Sequence, residues 1–260
     1  MGKNDKKRVC YYTSYTDDMV TTSNQEFRLK DNYKWVNNNI FYRISAGLIY
    51  AAALAFAHVY CKVWLHGSFK NREVLKPFKK QGYYVYGNHT QPLGDVVIPA
   101  RACKDRRIYT IVSMSNYGIP VIGKILSRLG ALPIPDGIEN YKYFYKGVKT
   151  RIKQKHPVVI FPEAHVWPYC TMIRPYPETS FRFPVEDGVP AFCMTTTYQK
   201  RKNKERPKMT VYIDGPFYPD SSLTSKKAQQ KKLHDEIFNC MKKRSELSTY
   251  QYIQYEEKIL

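Results

Sequence analysis

Two side chains, His89 and Asp95, carry the clearest prospect of chemistry in this 260-residue chain. They stand six positions apart in YYVYGNHTQPLGDVVIPA, residues 83–100. An imidazole that gives one ring nitrogen to a carboxylate keeps the other free to take a proton, which is the layout of an oriented general base. The plain alternative is a solvated loop pair with no catalytic role. A second stretch weighs against that alternative. VVIFPEAH, residues 158–165, is again an apolar strand run that ends in a charged loop and supplies Glu163 and His165.

The surrounding residues predict how the pair is held. Tyr83 to Tyr86 are aromatic and β-branched, Gly87 and Asn88 interrupt the run, and Pro92 and Gly94 form a turn before an apolar helix start. This reads as strand, tight loop and helix. Further strands are expected at 62–67, 108–112, 157–161, 191–198 and 209–214, with helices at 95–104, 119–129, 140–155 and 225–244. Such alternation predicts an α/β fold with a mostly parallel central sheet flanked by helices, preceded by an apolar N-terminal helix.

Asn88-His89-Thr90-Gln91-Pro92-Leu93-Gly94-Asp95 and Phe161-Pro162-Glu163-Ala164-His165 resemble the two signature blocks of the glycerolipid acyltransferases, the lysophosphatidic-acid acyltransferase family. The family carries Asn-His-x-x-x-x-Asp and, later, Phe-Pro-Glu-Gly-Thr. Residues 122–131 and 186–190 fall in the family's order between and after those blocks, so the resemblance covers about residues 64–216. This chain departs from the pattern. One extra residue separates His89 from Asp95, Ala164 and His165 replace Gly and Thr, and Val166 stands where a basic residue is usual.

The resemblance implies transfer of an acyl chain from acyl-CoA or acyl carrier protein to a hydroxyl of a lysophospholipid, first among them 1-acyl-sn-glycerol-3-phosphate. His89 would be the base and Asp95 its orienting partner. A thioester is already activated, so no serine or cysteine nucleophile is needed. Glu163 is expected at the acceptor site. Arg174, Lys124 and Arg128 are the cations available for an acceptor phosphate. With the usual arginine positions altered, a different lysolipid acceptor stays open. So does a basic membrane-surface protein without catalysis.

Composition narrows the partners. Forty-two Lys plus Arg against 22 Asp plus Glu give a net charge of +20, which attracts polyanions. The cations lie in short clusters such as 200–204 and 226–232, without glycine-rich or zinc-spaced motifs, so membrane lipids are favoured over nucleic acid. The six cysteines have no Cys-x-x-Cys spacing, and neither a metal site nor a disulfide framework is expected. No cofactor is expected beyond the acyl-donor substrate.

Four regions follow: a polar arm at 1–38, an apolar membrane-associating helix at 39–65, the acyltransferase-like α/β body at 66–220, and a basic helix and tail at 221–260. The arm is either mobile or a surface strap. Residues 44–61 carry no charged side chain and are flanked by Arg43 and Lys62. That length is at the short edge for a helix spanning the bilayer, and Ser45, Gly47 and His58 weaken that reading further; a helix lying in one leaflet and one buried in the body are the others. The resemblance favours the second, on the cytoplasmic face of a membrane.

Overall fold

The computed structural model describes residues 8–20, 27–29, 33–104 and 106–258. In chain order the elements are β1 (Arg8–Tyr12), α1 (Ile40–Val59), β2 (Ser68–Lys70), β3 (Tyr83–Gly87), α2 (Gly94–Ala102), β4 (Tyr109–Val112), α3 (Ile122–Leu129), β5 (Ala131–Pro133), α4 (Ile138–Lys153), β6 (Pro157–Ile160), α5 (Arg182–Asp187), β7 (Ala191–Arg201), β8 (Lys204–Phe217), α6 (Lys226–Ser245) and β9 (Ile253–Glu257). Seven strands form the central sheet in the order β2-β8-β7-β3-β6-β4-β5. β7, β3, β6, β4 and β5 run parallel, while β8 turns back from β7 in a long antiparallel hairpin and pairs in parallel with β2.

Successive side chains of a strand point to opposite faces, and β3 shows why its apolar run is continuous. Tyr84 and Tyr86 point into a cluster built with Phe144, Val148, Phe183, Leu233 and Ile237 from α4, α5 and α6. Tyr83 and Val85 point the other way, into a cluster with Ala57, Val97 and Ile98 from α1 and α2. Both faces are therefore covered, as the parallel pattern requires.

α1 has two apolar faces, and the body covers one of them. Ala46, Ala57 and Cys61 are buried. Ser45 Oγ accepts from Arg128 Nε, the Ala46 carbonyl from Arg107, and the Tyr50 hydroxyl from the Ile108 amide. On the other face Phe41 is 78% and Leu48 70% exposed, and Ile40, Ile44, Phe56, Val59, Val63 and Trp64 are open as well.

Several elements differ from expectation, the short helix α5 among them. The strand predicted at 62–67 is absent, because α1 runs on as a π-helical turn through Tyr60–Trp64 and the strand begins at Ser68. β5 was not anticipated, since three residues after a glycine turn carry no period of their own. The arm and tail also form structure: β1 and β9 pair in parallel as a separate two-stranded sheet, and Trp35 of the arm is buried, its indole N–H donating to the Pro133 carbonyl. α6 packs into the main cluster through Leu233, Ile237 and Met241, which joins the C-terminal helix to the body.

Candidate active site

His89 leaves the sheet where β3 ends. Asn88, just before it, extends the strand pairing with its side chain: its amide donates to the Thr196 carbonyl at 3.0 Å and accepts from the Thr196 N–H at 2.8 Å. With that anchor in place the chain folds back onto Asp95 at the start of α2. One carboxylate oxygen, Oδ2, meets His89 Nδ1 at 2.7 Å and the amides of Thr90 and Gln91 at 2.8 and 2.9 Å. The longer spacing is thus absorbed by a turn whose amides are satisfied by the same carboxylate. Asp95 Oδ1 is buried without a partner.

The ring itself stacks on Phe161, centroids 4.6 Å apart at 20°. Gly87 makes room for that platform, since a Cβ there would come within 2.9 Å of Phe161 Cε1. The His89 side chain is 19% exposed and that of Asp95 2%, so the carboxylate is sealed and the imidazole reaches the surface. Among the described residues Nε2 has no hydrogen-bond partner. Beneath the loop the Tyr198 hydroxyl bonds Thr90 Oγ1 at 2.7 Å and accepts from Gln91 Nε2 at 2.9 Å. Burial pushes that phenol well above its usual range, so it stays neutral beside Asp95.

Glu163 is reached from the other loop. Its Oε2 accepts the His89 amide at 3.0 Å and Arg174 Nη2 at 2.8 Å, and Oε1 accepts the Arg174 amide at 3.0 Å. Both side chains of this ion pair are 1% exposed. Arg174 also donates to the carbonyls of Tyr15 and His165 and lies over the Trp167 ring. The predicted acceptor cation is therefore consumed inside the protein, and Glu163 positions the His89 backbone. Arg128 serves α1, bonding Ser45 and covering the Tyr42 ring at 5.2 Å. Lys124, one turn earlier on α3, is exposed. Lys124 and Arg128 are not brought to His89 by any hydrogen bond or ion pair among the described residues.

Residues 67–191 match the family model for acyltransferases, a span that contains His89, Asp95, Glu163 and Arg174. The chain thus carries an acyltransferase domain. Its fold is similar to the crystal structure of the 1-acyl-sn-glycerophosphate (LPA) acyltransferase PlsC from Thermotoga maritima, with a TM-score of 0.54 and 14% identity over 83% of this chain and 86% of that one. No curated protein sequence matches it.

One side of the acyltransferase domain meets segments from the two ends of the chain, of which the sequence leaves the arm open to being mobile or a surface strap. Trp167 donates its backbone N–H to the His89 carbonyl at 3.0 Å and its indole N–H to the Asp17 carbonyl at 2.9 Å. Its ring lies between Tyr12 of β1 and Tyr255 of β9, each 4.8 Å away. His165 Nδ1 meets Asp18 Oδ1 at 2.5 Å, and the Tyr255 hydroxyl donates to the Pro168 carbonyl. The short aromatic runs RVCYY and IQYEE were the available signal, but nothing in either names its partner strand. The acyltransferase has one cluster of metal-type ligands among the described residues, Cys193, Asp214 and Cys240. Arg244 already forms an ion pair with Asp214, so this cluster carries its own cation.

Proposed function

We propose that this acyltransferase moves a fatty acyl chain from acyl-CoA or acyl carrier protein to a hydroxyl of a lysophospholipid at a membrane, with 1-acyl-sn-glycerol-3-phosphate as the reference acceptor. The observation that carries this reading is the 2.7 Å contact between His89 Nδ1 and Asp95, with the opposite nitrogen unpaired at the surface. Nε2 takes the proton of the acceptor hydroxyl as its oxygen attacks the thioester carbonyl. Asp95 holds the tautomer and stabilises the imidazolium.

The carbonyl oxygen then carries the negative charge and needs N–H donors. His89 gives its amide to Glu163, Thr90 and Gln91 give theirs to Asp95, and Pro92 has none. Leu93 and Gly94, at the start of α2, are the remaining donors. Collapse breaks the C–S bond, and the imidazolium returns its proton to the leaving thiolate. Ester and thiol are the products.

α1 supports the membrane location. It is long and apolar enough to cross a bilayer, yet one face is fastened to the body in both halves, so it lies in one leaflet with its open face against lipid. Leu93 and Val96 expose apolar surface beside His89 on the loop and on α2. A lysolipid embedded in that leaflet meets the base without leaving the membrane. We place this leaflet on the cytoplasmic side, where acyl thioesters are found.

A second acceptor is favoured by one observation, the burial of Arg174 against Glu163. With that guanidinium unavailable, a lysolipid whose headgroup is not a phosphate monoester is the first rival. Purified protein offered each thioester donor with a panel of lysolipids tests both. Turnover of lysophosphatidic acid supports the reference acceptor, turnover of another lysolipid alone supports the rival, and no product with any pair contradicts the proposal.

A further inference from the structure

Deepening the membrane reading just proposed, we infer that the tip of the β7–β8 hairpin is a docking prong for anionic lipid headgroups, set on the same edge of the sheet as His89. β7 runs parallel to β3 and passes Gly87 at Met194. Seven more residues follow to Arg201, which at roughly 3.3 Å each carries the strand about 20 Å beyond the end of β3. Thr196 and Tyr198 hold Asn88 and Thr90 on the way, so the strand that supports the catalytic loop ends in the prong.

Charge is concentrated there. Lys200, Arg201, Lys202, Lys204, Arg206 and Lys208 fall within nine residues, against the single acid Glu205. Glu205 is met by Arg8 at 3.4 Å, and Lys200 lies over the Tyr250 ring. Lys202, Lys204 and Lys208 are exposed and have no ion pair among the described residues. Such a cluster attracts an anionic surface within a Debye length.

The place of the prong relative to α1 selects the partner. Arg206 sits over the ring of Trp64, 4.3 Å from its centroid. Trp64 ends the apolar helix, is 52% exposed, and adjoins Val63 at 61%. A half-open tryptophan at the end of an apolar stripe suits the boundary between acyl chains and headgroups. Cations fixed beside it stand at the depth of lipid phosphates, whereas a nucleic acid would meet an apolar helix next to the charges.

The test uses the full chain and its Lys202→Gln/Lys204→Gln/Lys208→Gln variant, floated with vesicles of phosphatidylcholine alone or mixed with phosphatidylglycerol. At about tenfold or less per lysine the variant should bind mixed vesicles about a hundredfold more weakly. Its binding to neutral vesicles and its acyl transfer to lysolipid in detergent micelles should not change. Equal affinity of variant and parent for mixed vesicles overturns the prong, as does a parent that binds both vesicle types alike. Loss of RNA retention with vesicle affinity intact also overturns it. Charge-dependent binding without any micellar turnover supports the prong and removes the enzymatic reading instead.

Discussion

The loop after β3 and the loop after β6 each bury one carboxylate, and the two are held in opposite ways. Asp95 gathers its three donors from His89, Thr90 and Gln91, all within six positions. Glu163 reaches across 74 positions to the His89 amide, and its own loop is tied by Tyr15, Asp17, Asp18 and Tyr255 from the two ends of the chain. The first loop orients the imidazole proposed as the base. The second fixes where the base stands. Chemistry and placement are thereby separated, and substitutions should affect them separately.

Asp95→Asn should give a large effect on the chemical side, a fall in turnover of about a thousandfold with the fold retained, because the imidazole loses its tautomer and its counter-charge. Acyl transfer together with thermal melting checks it, and a large loss of stability with little loss of rate would join the two loops into one unit. On the placement side Arg174→Ala should cost about 3 to 5 kcal/mol, since Glu163 is left charged and buried. Urea unfolding reads this. Pairing Arg174→Met with Glu163→Gln should recover most of the loss, and strict additivity would contradict the ion pair as its cause.

Tyr255→Ala removes one wall of the Trp167 stack and the bond to Pro168, a loss of about 2 kcal/mol. Hydrogen exchange should quicken at residues 163–174 and stay unchanged at 88–95. Quickening in both loops would show that the terminal clasp acts on the base directly. The smallest effect belongs to Ala164, whose φ of 62° is left-handed. Ala164→Gly relieves backbone strain and adds chain entropy in the unfolded state, so stability should move by less than about 1 kcal/mol.

The same contrast explains what could be read from the chain. His89 and Asp95 were legible because their contact is local and their strand is apolar on both faces. The extent of α1 was legible from its uncharged run, but its π-helical end was not, since Lys62 looked like the start of a strand. Arg174 was visible as a cation near Glu163, whereas its burial depends on Tyr15 and Trp167, which only the fold brings to it. β1 and β9 stand some 240 residues apart, and pairing over that distance leaves no pattern in either segment. The blocks at 88–95 and 161–165 both fall inside the stretch that matches the acyltransferase model.

The most direct test is acyl transfer by His89→Ala set beside the parent, with both thioester donors and the lysolipid panel, at matched circular dichroism. The general-base account predicts ester formation by the parent and a loss of about a thousandfold or more in the variant. Product formed by His89→Ala at the parent's rate would contradict it.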